Sequence, residues 1–164
     1  MYKLKIDFYL KLIFTISLVS IISAYFIEYV LGHQPCNLCL IERIPYILSI
    51  FLLIIIYILK RYEKFFILLF AIMFICSLII SIYHFGIEQG FFKESAVCSL
   101  KSAFEVISKD ELLLQLNNKP VSCKDVTFRI FGLSLTSINI ILNIFLIILT
   151  LKALLNYEKF KKKN

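Results

Sequence analysis

Two sulfurs three residues apart define the chemistry this chain could do. Cys36 and Cys39 form a Cys-x-x-Cys pair in the stretch Pro35-Cys36-Asn37-Leu38-Cys39-Leu40-Ile41-Glu42-Arg43, between two long apolar runs. Thiols at i and i+3 can close a small disulfide ring at a helix start, where free backbone N–H groups and the helix dipole favour a thiolate. Arg43 stands four residues past Cys39, so a continuous helix puts it one turn above on the same face. A permanent cation there lowers the thiol pKa and attracts an anionic reduced cofactor. The same spacing also suits half a zinc site or a static disulfide.

Three further cysteines are present: Cys76, Cys98 and Cys123. Cys98 and Cys123 lie 25 residues apart in one long polar segment. As a staple, a disulfide closing that loop stabilises by roughly 3 kcal/mol in the chain-entropy picture. As an accessible pair it could instead exchange with a soluble thiol partner. Spacing alone leaves both open. Four external cysteines could also gather a zinc ion, but the second pair lacks Cys-x-x-Cys spacing. Cys76 falls inside an apolar run and reads as an inert, buried small hydrophobe. His84 ends that run. It is either a polar helix end or a proton-exchanging neighbour of a bound cofactor.

Composition says what must position these groups. Of 164 residues, 60% are hydrophobic and the mean hydropathy is +0.89, well above the roughly 45–50% apolar content of soluble domains. Four apolar runs, Leu12–Ile27, Ile44–Leu59, Phe65–Tyr83 and Ile130–Leu151, are long enough or nearly so to cross a bilayer. The expected architecture is an all-α membrane protein, a four-transmembrane-helix bundle with one long external loop. Residues 1–164 form a single integral membrane domain, with helices over about 12–31, 38–59, 65–85 and 130–152 and the loop over about 87–129. The first run follows a basic start but is longer than a signal-peptide core and has no clear small-x-small site after it, so it reads as an uncleaved helix. Gly32 ends it. Pro45 leaves two possibilities for the second helix: a start near Pro45, or a start near Cys36 with a kink. In the loop, Leu100, Phe104, Ile107, Leu112, Leu113 and Leu116 recur at rough helical spacing. They suggest one or two short amphipathic helices against the membrane or the bundle top.

The net charge of +7 points away from nucleic acid, because the cations sit at the ends of apolar runs rather than on one face. The N-terminus, the Lys60–Lys64 hairpin and the tail after Leu151 carry eleven Lys/Arg and three acids; the opposite side carries seven Lys/Arg and eight acids. By the positive-inside rule, both termini face the cytoplasm. Cys36, Cys39, Cys98 and Cys123 then share the external face, where disulfides persist.

The run His33-Gln34-Pro35-Cys36-Asn37-Leu38-Cys39-Leu40-Ile41-Glu42-Arg43-Ile44-Pro45-Tyr46 resembles the first cysteine motif of the DsbB-type disulfide bond formation proteins. Tyr83-His84-Phe85-Gly86-Ile87-Glu88, followed by Val97-Cys98-Ser99, resembles their second. Val121-Ser122-Cys123-Lys124-Asp125, with Phe131-Gly132-Leu133-Ser134 beyond, resembles their third. The resemblance covers nearly the whole chain. It implies a four-helix thiol:quinone oxidoreductase of the bacterial inner membrane, with ubiquinone or menaquinone as cofactor. The pair matching Cys98 and Cys123 oxidises a periplasmic thioredoxin-fold, DsbA-like thiol oxidase, with Cys98 forming the mixed disulfide. Electrons pass to the pair matching Cys36 and Cys39. The residue matching Cys39 engages the quinone, Arg43 lies beside it, and His84 matches a histidine near the same site. The Glu42 position is commonly polar in that family and carries no assigned role.

The expected function is therefore disulfide formation at the expense of the membrane quinone pool, with catalytic Cys36, Cys39, Cys98 and Cys123, cofactor-binding Arg43, Cys39 and His84, and no metal. One rival is a quinone-linked reductase resembling vitamin K epoxide reductase, whose Cys-x-x-Cys usually lies late in the bundle. Another is a non-catalytic assembly or metal-binding protein with static external cysteines.

Overall fold

The computed structural model describes residues 2–58, 63–94, 98, 122–124, 128–130 and 132–163. Four long helices dominate: α1 (Tyr2–Tyr29), α2 (Asn37–Ile58), α3 (Glu63–Glu88) and α4 (Leu135–Lys163). Each contains a stretch long and apolar enough to cross a membrane: Leu4–Tyr29, Asn37–Ile58, Glu63–Glu88 and Leu135–Lys159. At 1.5 Å per residue, even the 22 residues of α2 reach about 33 Å, matching a hydrocarbon core of about 30 Å. The protein is a multi-pass, four-helix membrane protein.

The helices close a ring. α1 packs on α2 and α4, and α3 packs on α2 and α4. At the centre, Ile13, Leu53, Ile67, Phe70, Phe74 and Leu146 are fully buried. Small polar residues let the backbones approach: the Ser49 hydroxyl donates to Ser17 Oγ at 2.9 Å, tying α2 to α1. Large apolar residues such as Val19, Ile22, Phe51, Ile72 and Ile79 are exposed around the outside. In water that would be a liability; against lipid it is the required surface.

The described helices differ from the sequence expectation in ways that matter for the site. α1 starts at Tyr2 rather than near residue 12, carrying Lys5, Asp7 and Lys11 on its first turns. α2 starts at Asn37, so Pro45 lies inside it and the choice left open by the sequence is settled for the earlier start. Proline has no N–H for the Ile41 carbonyl, but the helix runs on beyond it. α4 starts at Leu135 rather than near residue 130, because a hairpin precedes it. β1 (Arg129–Ile130) pairs antiparallel with β2 (Leu133–Ser134), in register Arg129↔Ser134. Gly132 takes a φ of 84° in that turn, a conformation that disfavours any side chain. Cys76 is exposed on the outer face of α3 rather than buried. Its run is apolar all round, so the sequence could not say which face met lipid.

The Lys60–Lys64 turn lies mostly outside the described residues; Lys64 is in the first turn of α3 and its Nζ pairs with Glu158 Oε1 of α4 at 2.7 Å. The apolar positions from Leu100 to Leu116 also lie outside them.

Candidate functional site

The buried face of α2 is a single stripe: Leu38, Glu42, Tyr46, Ser49, Leu53 and Ile56, spaced by three and four. A carboxylate thus stands where the spacing calls for an apolar residue. On α3 the matching stripe ends in Ser77, Ser81 and His84. On α4 it begins with Thr136, Asn139 and Asn143. Three helices therefore bring polar groups to the same level, at the end of the bundle that carries the cysteines.

Most of these groups satisfy one another, although Ser77 Oγ and Asn143 Oδ1 are buried without a partner among the described residues. Buried polar atoms without partners cost on the order of 1–3 kcal/mol each, so the network is needed for the bundle to close. His84 is 1% exposed. Its Nδ1 lies 3.1 Å from Glu42 Oε1, and its Nε2 lies 3.5 Å from Cys36 Sγ. The Asn139 amide donates to Glu42 Oε2 and to Ser81 Oγ, both at 2.9 Å. The Tyr46 hydroxyl donates to Asn139 Oδ1. Thr136 donates to Glu88 Oε1, and its hydroxyl lies 3.4 Å from His84 Nδ1.

Cys36 and Cys39 are free thiols with their sulfurs 3.0 Å apart. The Cys39 backbone N–H points at Cys36 Sγ at 3.4 Å. The Cys36 thiol pKa is held far down, to about 4. The hydrogen bond with the Cys39 thiol is the largest cause, and the His84 ring adds to it against the opposing effect of burial. Cys98 and Cys123 are bonded to each other, with Cα atoms 5.8 Å apart. The two pairs are not separate: Cys36, Cys98 and Cys123 pack with Leu38 and Ile87 in one buried cluster, with Cys39 against it.

Beside this cluster lies a cavity of about 500 Å³. Its walls include Ile16, Val19, Ala24 and Ile27 of α1 and Ile138 and Leu142 of α4. Its polar end carries Cys36, Cys39, Glu42, Arg43, His84 and Glu88, with Cys123 at the rim. Glu88 Oε2 is buried there without a partner among the described residues. Apolar walls with a few convergent polar groups are the usual make-up of a small-molecule site.

Arg43 is in the cavity with Cys39, as one helical turn predicts, but it is not a lone cation. Its Nη1 pairs with Glu28 of α1, and its guanidinium carbon sits 5.2 Å from the centroid of the Tyr25 ring. The pair clamps α1 to α2. All six residues singled out from the sequence (Cys36, Cys39, Arg43, His84, Cys98 and Cys123) lie in this cluster or line this cavity. Glu42, Asn139 and Thr136 were not singled out. The available signal was the i, i+3, i+4 spacing that places Glu42 and Thr136 in buried stripes and Asn139 on the same face of α4 as Thr136, half-buried.

A four-helix membrane protein with two cysteine pairs gathered at one end and an apolar cavity beside them is what this fold and site define. Residues 7–153 match the family of the disulfide bond formation protein DsbB, and the chain belongs to that family. Its function is thus disulfide bond formation at a membrane. An uncharacterized protein of Rickettsia prowazekii (strain Madrid E) is 33% identical over 150 residues, covering 90% of this chain and 87% of that protein. No solved structure matches.

Proposed function

We propose that the protein is a thiol:quinone oxidoreductase of the bacterial inner membrane that reoxidises a periplasmic DsbA-like thiol oxidase. The observation that carries this reading is the packing of Cys36, Cys98 and Cys123 in one cluster, with Cys39 against it, at the mouth of an apolar cavity. The charge distribution supports cytoplasmic termini, with the cysteines on the opposite face.

The chemistry is thiol–disulfide exchange in series. A thiolate of the reduced partner attacks Cys98, displacing Cys123, and the partner's second thiol releases the partner as a disulfide. The Cys98 and Cys123 thiols then reduce the Cys36–Cys39 disulfide, so one electron pair moves inward. When bound, a quinone supplies the acceptor for that electron pair and two protons. The residues present fit such a group: flat apolar walls from α1 and α4 for ring and tail, with Cys39, Arg43 and His84 at the polar end. Arg43 and its Glu28 partner fix the width of the cavity by holding α1 against α2. The site sits at the end of the bundle because a lipid-borne acceptor and a water-borne thiol partner must both reach it.

Cys98 and Cys123 are bonded to each other, which leaves them unavailable to a four-cysteine zinc cluster. Among the described residues, Cys36, Cys39 and His84 are the group with donor atoms within 4.8 Å of one another, one short of the four a structural zinc site takes. The test is partner oxidation by purified protein with ubiquinone or menaquinone. Oxidation should require quinone and vanish in Cys39→Ser. Oxidation that ignores both quinone and the Cys39→Ser change would overturn the reading.

A further inference from the structure

The relay just proposed needs a way to take the proton from the inner pair, and the buried network around His84 offers one. Glu42 is 7% exposed, on the stripe of α2 that otherwise carries Leu, Tyr, Ser and Ile. An ionised carboxylate can only accept hydrogen bonds. Both Glu42 oxygens are engaged: Oε2 by the Asn139 amide at 2.9 Å, and Oε1 by His84 Nδ1 at 3.1 Å. The His84 proton must then sit on Nδ1. That leaves Nε2 facing Cys36 Sγ at 3.5 Å as the ring's open acceptor. Asn139 is itself held by Tyr46 and Ser81, so the carboxylate cannot swing away freely.

We propose that Glu42 is a positioning residue for the inner-pair chemistry: it fixes the His84 ring with Nδ1–H toward its own carboxylate, so that Nε2 takes the Cys36 proton. This rests on the relay reading. Closing the Cys36–Cys39 disulfide removes two electrons and two protons from the pair. The S–H bond of Cys36 breaks and its proton goes to Nε2, giving a thiolate–imidazolium pair beside the Glu42 carboxylate. The Cys36–Cys39 bond then forms as the Cys39 S–H bond breaks, and the electron pair and both protons, one of them by way of His84, pass to the quinone acceptor of the relay. The arrangement is that of a nucleophile, a base and an orienting acid, here acting on a thiol inside a membrane bundle. Among the described residues, the other ionisable groups facing His84 are Cys39 from α2 and, through Thr136, Glu88 at the end of α3. Arg43 lines the neighbouring cavity and is paired with Glu28 of α1.

The test uses the full chain in lipid nanodiscs free of quinone and of any partner, so its outcome is separate from that of the relay reading. Only two histidines exist, so ¹⁵N-histidine spectra give two rings to assign. His84 Nδ1 should carry a proton whether Cys36 and Cys39 are oxidised or reduced; a bare Nδ1 overturns the proposal, with no variant needed. In the reduced protein, iodoacetamide labelling of Cys36 followed by peptide mass spectrometry gives a thiolate profile against pH. Glu42→Gln should move that profile upward by about one unit of thiol pKa, so that labelling slows about tenfold at pH values below the wild-type midpoint and little on the plateau. The same change in a His84→Gln background should add nothing, because Glu42 acts through the ring. An unmoved profile in Glu42→Gln, or fully additive effects of the two changes, overturns the proposal.

Discussion

Arg43 of α2 and Glu28 of α1 form an ion pair at the wall of the cavity, both largely withdrawn from solvent at 14% and 20% side-chain exposure. The pair makes Arg43 a clamp between helices as well as a cation near Cys39. Removing the arginine alone strands a carboxylate in a poorly hydrated place. Arg43→Ala should therefore destabilise the bundle by about 1–3 kcal/mol. The Glu28→Gln/Arg43→Ala double variant should regain part of that loss. Thermal unfolding in detergent checks it; a double variant less stable than Arg43→Ala would contradict the clamp.

Cys36 carries a depressed thiol pKa in the folded protein, to about 4, against roughly 8.5 for a free thiol. A depressed pKa contributes stability that is fully present above the unfolded value and is lost as pH falls through the folded one. The protein with Cys36 and Cys39 reduced should thus be most stable above about pH 8.5 and lose that contribution progressively down to pH 4. Its Cys36 labelling rate should already be near its plateau at pH 6. Labelling that rises only near pH 8.5 would contradict the thiolate assignment.

Gly86 has no room for a side chain. A Cβ there would lie 2.3 Å from the Phe92 ring, which stacks on Tyr83 with centroids 5.6 Å apart. Gly86 also accepts hydrogen bonds from Phe91 and Phe92, fixing the turn that leaves α3 toward Cys98. Gly86→Ala should displace Phe92 and destabilise by about 1–3 kcal/mol, as overpacking does. An unchanged melting temperature would show that the ring moves aside at no cost.

Tyr46→Phe removes the hydroxyl that holds Asn139 and leaves Asn139 Oδ1 short of that donor. Stability should fall by about 1 kcal/mol, while labelling of Cys36 slows only modestly, because Asn139 still reaches Glu42 through its amide. A loss of Cys36 reactivity as large as that of His84→Gln would mean that Tyr46 acts on the ring more directly than its contacts indicate.

The helices were legible because their apolar runs leave few alternatives, and the cysteines because sulfur chemistry depends on type and spacing. Helix ends were less so. The start of α4 is set by a two-residue turn at Gly132, and the reach of α1 to Tyr2 runs through lysines that a hydropathy reading excludes. The face exposed to lipid was not legible on α3, where apolar residues surround the helix, and Cys76 was misplaced for that reason. The His84 network was hidden for another. Its contacts join residues 42 and 48 positions apart, and no local period encodes which helix faces which. Glu42 was legible in principle, as the acid on an otherwise buried stripe.

The central claim is that the two cysteine pairs act in series. The direct measurement adds reduced DsbA-like partner to fully oxidised protein without quinone, quenches with acid, and reads the state of Cys36 and Cys39 by differential alkylation and mass spectrometry. In the wild type, Cys36 and Cys39 should become reduced as the partner is oxidised, and in Cys98→Ser they should stay bonded. Reduction of Cys36 and Cys39 at the same rate in Cys98→Ser, or none in the wild type, would contradict the relay.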